Sequence, residues 1–289
     1  MITRRTFLKQ SGLVSAGLLL KPEHFAAKQQ LIGLQLYTVR NEVVKDVPGT
    51  IEKVAQIGYN SLEVFGYGNG KFFGLTPEEF LAILKKNNIV TPSGHYSVNN
   101  YLSNGDEDEL KHTIEDAAKM GHTFFTIPFL TPNLRKSLDD YKTLADRLNK
   151  AAPLVKDAGM KLAYHNHDFE FKDWGNGETG YSILSKQTDP KMVSFEMDIY
   201  WVSRAGKDPI ALMKEQPGRF KMWHVKDMAN TAEKEFTEVG SGTINYKEIF
   251  KYKKLSGMEY FFVEQDQVKI PVYESIAKSY NYVKNNLVS

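Results

Sequence analysis

From residue 31 onward the chain alternates between two hydrophobic periods. Short runs with apolar residues at every second position are followed by longer stretches in which they recur every three or four. The short runs predict strands at Leu31–Val39, Ser61–Phe65, Ile89–Tyr96, Thr123–Pro128, Lys161–His167, Val193–Ile199, Phe220–Asp227 and Glu259–Gln265. The longer period predicts helices at Val47–Ile57, Thr76–Asn87, Glu107–Met120, Ser137–Ala158, Tyr181–Gln187, Pro209–Gln216, Tyr246–Leu255 and Val272–Asn285. Gly58, Gly121, Gly159 and Gly257 fall just after helices, where a residue with positive φ closes the last turn. Thr76-Pro77-Glu78-Glu79 reads as an N-cap followed by proline in the first helical position. Eight strand–helix units in roughly 250 residues predict an α/β fold, a single-domain (β/α)8 TIM barrel. A doubly wound open sheet usually carries a glycine-rich phosphate turn after its first strand. Here that place holds Tyr37-Thr38-Val39-Arg40-Asn41-Glu42, without glycine.

Strand side chains point alternately to two faces. In the sixth strand Ser194, Glu196 and Asp198 oppose Phe195, Met197 and Ile199. In the seventh, Met222, His224 and Lys226 oppose Trp223 and Val225; in the eighth, Phe262 and Glu264 oppose Phe261 and Val263. The greasy faces need helices, so the other faces turn inward. Three consecutive strands then end in Asp198, His224 and Glu264, a set suited to one divalent ion such as Mn²⁺, Zn²⁺, Mg²⁺ or Co²⁺.

A barrel works where its strands end, so other polar residues there are informative. The first three strands offer Gln35, Glu63 and His95. Glu63 lies between Leu62 and Val64, where a carboxylate is costly to bury without a partner. His165 and His167 share the inner face of the fifth strand, with Glu170 just beyond. The fourth and sixth strands also bring Phe129 and Trp201 to their ends, two flat aromatic faces. Loops Tyr67–Gly74 and Phe169–Gly180 would overhang the mouth. His24, His112 and His122 read as signal or surface residues.

The N-terminus carries a different pattern. Thr3-Arg4-Arg5-Thr6-Phe7-Leu8-Lys9 precedes an apolar stretch from Ser11 to Leu20 and then Phe25-Ala26-Ala27. This reads as an export signal over residues 1–27, of the twin-arginine type, ahead of a barrel over 28–289. It predicts a periplasmic protein that meets the twin-arginine export machinery. The apolar stretch is too short for a membrane anchor. The chain has 289 residues, 42% hydrophobic and 25% charged, an ordinary globular balance. A net charge of +2 gives no electrostatic case for nucleic acid. With no cysteine there is no thiolate ligand, thiol nucleophile or disulfide.

The runs Tyr164-His165-Asn166-His167-Asp168-Phe169-Glu170-Phe171, Asp198-Ile199-Tyr200-Trp201 and His224-Val225-Lys226-Asp227 resemble the sugar phosphate isomerase/epimerase group of xylose isomerase-like TIM barrels. The resemblance covers about residues 31 to 289. It implies one divalent ion held from strands five to eight, here by His165, Asp198, His224 and Glu264. The group's keto-sugar epimerases carry glutamate at the His165 position, and many members carry histidine where this chain has Trp201. Both departures weigh against a two-glutamate epimerase mechanism. The resemblance implies a metal-dependent isomerase or epimerase of a sugar or keto-sugar, acting through proton abstraction and a metal-bound enediolate. Glu264 would be ligand and base, His167 or Glu170 the second acid/base group, and Lys226 the oxyanion partner. Gln35, Glu63, His95 and Trp201 would touch the sugar. A lyase or hydratase of 3-keto-glycosides on the same site is the main alternative, and a non-catalytic sugar-binding module is the other. The superfamily's abasic-DNA endonucleases fit poorly with near-neutral charge and export. No basic cluster marks a phosphate subsite, and a homo-oligomer is compatible with the sequence.

Overall fold

The computed structural model describes residues 30–288, so the export signal read at 1–27 lies outside the described residues. Eight parallel strands close into a barrel in chain order. They are β1 Gly33–Gln35, β2 Ser61–Val64, β3 Val90–His95 and β4 Phe124–Ile127. They continue as β5 Lys161–His165, β6 Val193–Asp198, β7 Phe220–Val225 and β8 Tyr260–Val263. All eight lie inside the runs marked by the alternating pattern. β8 closes on β1 through the pairs Gly33–Phe262 and Leu34–Val263.

The barrel interior is layered. Phe124, Ala163, Met222 and Phe262 form an apolar plug separate from the main core. Gly33 has no side chain because the Phe262 ring occupies that space; a Cβ there would lie 2.4 Å from the ring. Above the plug the inward residues become polar. The outward faces, with Leu162, Phe195, Trp223 and Phe261, pack against the helices in one large core.

Helix boundaries follow local chemistry. Val47–Ile57 begins where Asp46 accepts a hydrogen bond from the Gly49 amide. Thr76 and Ser137 each form a reciprocal capping box, with Glu79 and Asp140 respectively. The strands run shorter than the sequence pattern. After Gln35 the chain turns into a 3-10 helix, Leu36–Val39, because the Gln35 side chain accepts the Tyr37 amide at 3.1 Å. Short helices Arg40–Val43, Asn99–Asn104 and Ile199–Arg204 were not foreseen. The predicted helix from Tyr246 is broken into Tyr246–Ile249, a 3-10 turn Phe250–Tyr252, and Lys253–Ser256. Among the described residues no helix is long and apolar enough to cross a membrane.

The loop after β7 is gathered by one carboxylate. Asp227 Oδ1 accepts the amides of Met228 (2.8 Å) and Ile244 (3.2 Å). Its Oδ2 accepts those of Gly240 (2.8 Å) and Gly242 (3.0 Å). Gly242 must lack a side chain, since a Cβ would meet Asp227 Oδ1 at 2.3 Å. Further out, Phe236 stacks on Tyr200 and meets Trp201 edge-on.

Candidate active site

A cavity of about 520 Å³ opens where the strands end. Its floor carries His95, His165, His167, Lys226, Glu264 and Asp266. Its outer wall includes Tyr37, Phe65, Phe129 and Trp201. Tyr37 and Phe129 are exposed at the rim. The wall offers flat apolar faces while the floor offers polar groups.

Two clusters of ligand-type residues meet at this floor, and they share His224. The upper one joins Asp198, His224 and Glu264, one ligand atom of each lying within 4.8 Å of the others. Asp198 caps the helix after β6 through Oδ1, which accepts the Trp201 amide at 3.0 Å. That leaves Oδ2 for the site. His224 Nδ1 is 2.7 Å from Glu264 Oε2. Lys226 Nζ lies among these groups, 2.9 Å from Asp198 Oδ2, 2.6 Å from Glu264 Oε2 and 2.9 Å from Asp266 Oδ1. An ammonium has three protons, and three carboxylates surround this one. Its hydrogen bond goes to Asp266 Oδ1, while Asp198 Oδ2, although 2.9 Å away, is a buried oxygen without a hydrogen-bond partner. Burial pushes the Asp198 carboxyl up to about 6. Burial alone would also raise Glu264, but Lys226 and His224 outweigh it and hold that carboxyl well below its ordinary range.

The lower cluster joins His95, His165, Glu196 and His224. Glu196 Oε2 lies 2.8 Å from His95 Nε2, 3.1 Å from His165 Nδ1 and 3.3 Å from His224 Nε2. Its Oε1 is buried with no hydrogen-bond partner. Burial works against charging His95, yet Glu63 and Glu196 raise it to about 9. Burial and the neighbouring imidazoles keep His165 well below its usual value. Strand alternation places Glu196 on the inner face but assigns it no role. The signal is present in the sequence, since Glu196 is flanked by Phe195 and Met197 as Glu63 is by Leu62 and Val64.

Gln35 and Glu63 were expected to touch the sugar, but both are fully buried below the cavity. Glu63 Oε2 accepts from Gln35 Nε2 (2.7 Å) and meets His224 Nε2 (2.6 Å) and His95 Nε2 (3.0 Å). Its Oε1 accepts from Ser93 Oγ at 2.6 Å. Their place is supporting: Glu63 orients two imidazoles from below. His95 and Trp201 do line the cavity. Two cavity-lining side chains carry a buried polar atom with no hydrogen-bond partner: His167 Nδ1 and Trp201 Nε1. The His167 ring is stacked on Phe169 and stands 5.6 Å, centroid to centroid, from Trp201. His122, read as a surface residue, is buried between Thr91 Oγ1 (3.1 Å) and Tyr96 Oη (2.9 Å). Its partners come from β3 and the residue after it, 31 and 26 positions away, which its immediate sequence does not reveal.

Glu170 was expected as an acid/base group at the mouth. The structure places it outside the cavity lining, fully buried. It accepts the Tyr164 hydroxyl at 2.7 Å and the His167 amide at 2.8 Å, so it braces the backbone of His167. The chain turns after β5, and strand alternation no longer governs where a side chain points. Burial raises the Glu170 carboxyl from 4.5 to about 7. The unfolded chain therefore gives up this proton first, and linkage fixes the sign. The associated stability is fully present below the unfolded value and is lost as pH rises through the folded one. The loss amounts to about 3 kcal/mol, because the two values differ by more than two pH units and each is worth roughly 1.4 kcal/mol. Glu170→Gln keeps the shape and removes the titration. In urea titrations, wild type should weaken between about pH 5 and pH 8 and the variant should not show this fall. An identical pH dependence in the two proteins would contradict the assignment.

A parallel eight-stranded barrel with histidines and carboxylates gathered at the strand ends is the architecture of a barrel that works at its C-terminal mouth. The chain belongs to the xylose isomerase-like TIM barrel family, whose model matches residues 51–276. Solved relatives include a sugar phosphate isomerase/epimerase from Parabacteroides distasonis. It is 28% identical, with a TM-score of 0.78 over 89% of this chain and 98% of that one. A D-psicose 3-epimerase from Clostridium cellulolyticum shares the fold at 14% identity, with a TM-score of 0.69 over 89% of this chain and 99% of that one. An inosose dehydratase from Clostridium beijerinckii is 31% identical over 168 residues. That match spans 50% of this chain and 54% of the relative, so the chain covers about half the length of the curated relatives it matches.

The donors present suit a divalent ion. Imidazole nitrogens and carboxylate oxygens converge, and Glu196 Oε1 is a buried carboxylate oxygen without a partner.

Proposed function

We propose that this protein is a metal-dependent enzyme that moves a proton next to the carbonyl of a neutral keto-sugar, giving an isomer or epimer. The observation that carries this reading is the His167 imidazole on the lining of an aromatic-walled cavity with a polar floor. Burial first, and then the Lys226 ammonium, keep the His167 imidazole well below its ordinary value, so it is a free base at neutral pH. A neutral imidazole on the cavity lining can take a proton from carbon.

A divalent ion bound at the strand ends supplies Lewis-acid polarisation of the carbonyl. His167 takes the proton from the neighbouring carbon, and the electron pair moves onto the carbonyl oxygen to give an enediolate. Return of the proton from His167 to the other carbon, with the hydroxyl proton passing between the two oxygens, gives an isomer; an epimer requires a proton delivered by a second acid, such as water, on the opposite face. Glu264 was expected as the base. Its Oε2 is held by Lys226 and His224, which makes it an anchor for the floor. Among the described residues, Lys226 is the single lysine or arginine on the cavity lining, and three carboxylates already surround it. This favours a neutral sugar over a phosphorylated one.

A second reading is elimination, in which a β-hydroxyl leaves with the proton as water. The likeness to inosose dehydratases favours it. One experiment tests both readings. The metal-loaded protein is incubated in heavy water with keto-sugars, 3-keto-glycosides and a keto-cyclitol, and products are followed by NMR. Deuterium next to the carbonyl is expected, with an isomer distinguishing the first reading and loss of water the second. A panel that neither exchanges nor changes would overturn both and leave a binding module.

A further inference from the structure

We propose that Asp266 orients the substrate, its side chain accepting a hydroxyl of the sugar on the side of the mouth across from His167. This inference rests on the keto-sugar reading above and names the group that fixes how the sugar lies in the cavity.

Asp266 follows β8, two residues past Glu264, and lines the cavity. Of the two carboxylates on the lining, Glu264 and Asp266, only the second lies outside both clusters of ligand-type residues. It is also the open one of the three carboxylates around Lys226. Its side chain is 22% exposed, against 6% for Glu264 and 0% for Asp198. Oδ1 accepts from Lys226 Nζ at 2.9 Å. Among the described residues Oδ2 has no hydrogen-bond donor, and it is not one of the buried unpartnered atoms. A carboxylate only accepts, at about four lone-pair sites. This one therefore keeps acceptor capacity that the fold leaves to whatever enters the cavity. The hydroxyls of a neutral sugar are donors. A phosphate or a second carboxylate would meet like charge there.

The group is held from two sides. Lys226 fixes the side chain. The Asp266 carbonyl accepts from Arg40 Nη2 at 2.7 Å. The same guanidinium donates through Nη1 to the Tyr37 carbonyl at 2.9 Å and lies 4.3 Å from the centroid of the Tyr37 ring. Arg40 thus ties the segment after β8 to the segment after β1. It sets an acceptor, Asp266, beside an aromatic face, Tyr37, and both line the cavity. An acceptor next to a flat apolar ring matches the hydroxyl edge and the C–H face of a sugar.

Position completes the case. In a closed ring of eight strands β1 stands opposite β5. Asp266 and Tyr37 belong to the β8–β1 side, and His167 follows β5. A ring that spans the mouth brings one carbon to His167 only if its far hydroxyls are held. Misplacing a reacting atom by about 1 Å can cost roughly 10²-fold in rate. Gln35 and Glu63, expected to read hydroxyls, lie buried below the cavity.

The test is calorimetry on the metal-loaded full chain with neutral ketohexoses and a keto-cyclitol, followed by the monodeoxy derivatives of the tightest binder. In wild type, removing one particular hydroxyl should weaken binding by about 10-fold or more, the weight of a hydrogen bond to a charged group. Asp266→Ala should weaken the parent sugar by a similar factor, yet bind that one deoxy sugar within about 3-fold of the parent, because the partner of the missing hydroxyl is gone. Asp266→Asn keeps the shape and should show a reduced penalty; it carries the comparison should the alanine variant not fold. A merely structural role would weaken parent and deoxy sugars alike, and equal penalties in wild type and variant would overturn the proposal. So would a wild type that binds every deoxy sugar as tightly as the parent, or that binds no sugar of the panel. Deuterium exchange without any hydroxyl coupled to Asp266 defeats this inference alone. A hydroxyl coupled to Asp266 without exchange defeats the enzyme reading alone.

Discussion

His167→Phe should lower the rate of deuterium exchange into the keto-sugar by at least about 10²-fold, the ordinary weight of a general base. Phenylalanine keeps a ring to stack on Phe169, so the wall of the cavity is preserved. It deletes both nitrogens, including the Nδ1 that has no partner within the protein. Sugar binding, read by calorimetry, should change far less than turnover, because the loss falls on the transition state. Glu264→Gln is the companion measurement. It keeps an oxygen for Lys226 and His224 but removes the carboxylate charge. Should His167→Phe exchange as fast as wild type while Glu264→Gln is slow, the role of base passes to Glu264.

Glu63→Leu should destabilise the fold by about 3 kcal/mol or more, because it removes one side of a buried, multiply bonded ion pair. Four side chains lose their acceptor: Gln35, Ser93, His95 and His224. All but His95 are completely buried, so water cannot replace the lost partner. Glu63→Gln should cost less stability, because the shape is kept. It should still weaken divalent-ion binding by about 10-fold to 100-fold, as expected for a group that orients ligands from behind. The checks are urea unfolding and metal titration. A Leu variant as stable as wild type would show that the network beneath the floor has no structural weight.

The barrel was legible because its periodicity is written in every unit. The helix Val47–Ile57 has the bounds its apolar spacing predicted. Each strand lies inside its alternating run, shortened where a side chain such as Gln35 turns the backbone. Alternation also named the inner face, and so Asp198, His224 and Glu264 do converge. What alternation cannot give is height along the barrel axis. That depends on the stagger between neighbouring strands, a property of the closed sheet. The register sets Glu196 beside His165 and Asp198 beside His224. Those pairs split the inner polar residues into two layers, and the split is why Gln35 and Glu63 lie below the cavity they were expected to line. Beyond a strand's last pair the pattern stops, so Glu170 and the helix Ile199–Arg204 were beyond its reach.

The Asp227 clamp has a consequence for how this mouth could be remodelled. Because one carboxylate ties both ends of the segment after β7, the residues between Met228 and Gly240 enter and leave at fixed points. Lengthening such a tethered span is cheap, about 0.6 kcal/mol for each doubling. Phe236, carried on that span, reaches the Tyr200–Trp201 pair at the wall of the cavity. Insertions and exchanges there can therefore reshape what the cavity admits while the strand-end chemistry stays where it is. The clamp makes this loop a grafting point, and chimaeras joined just inside it are the natural way to give the same barrel a different ligand.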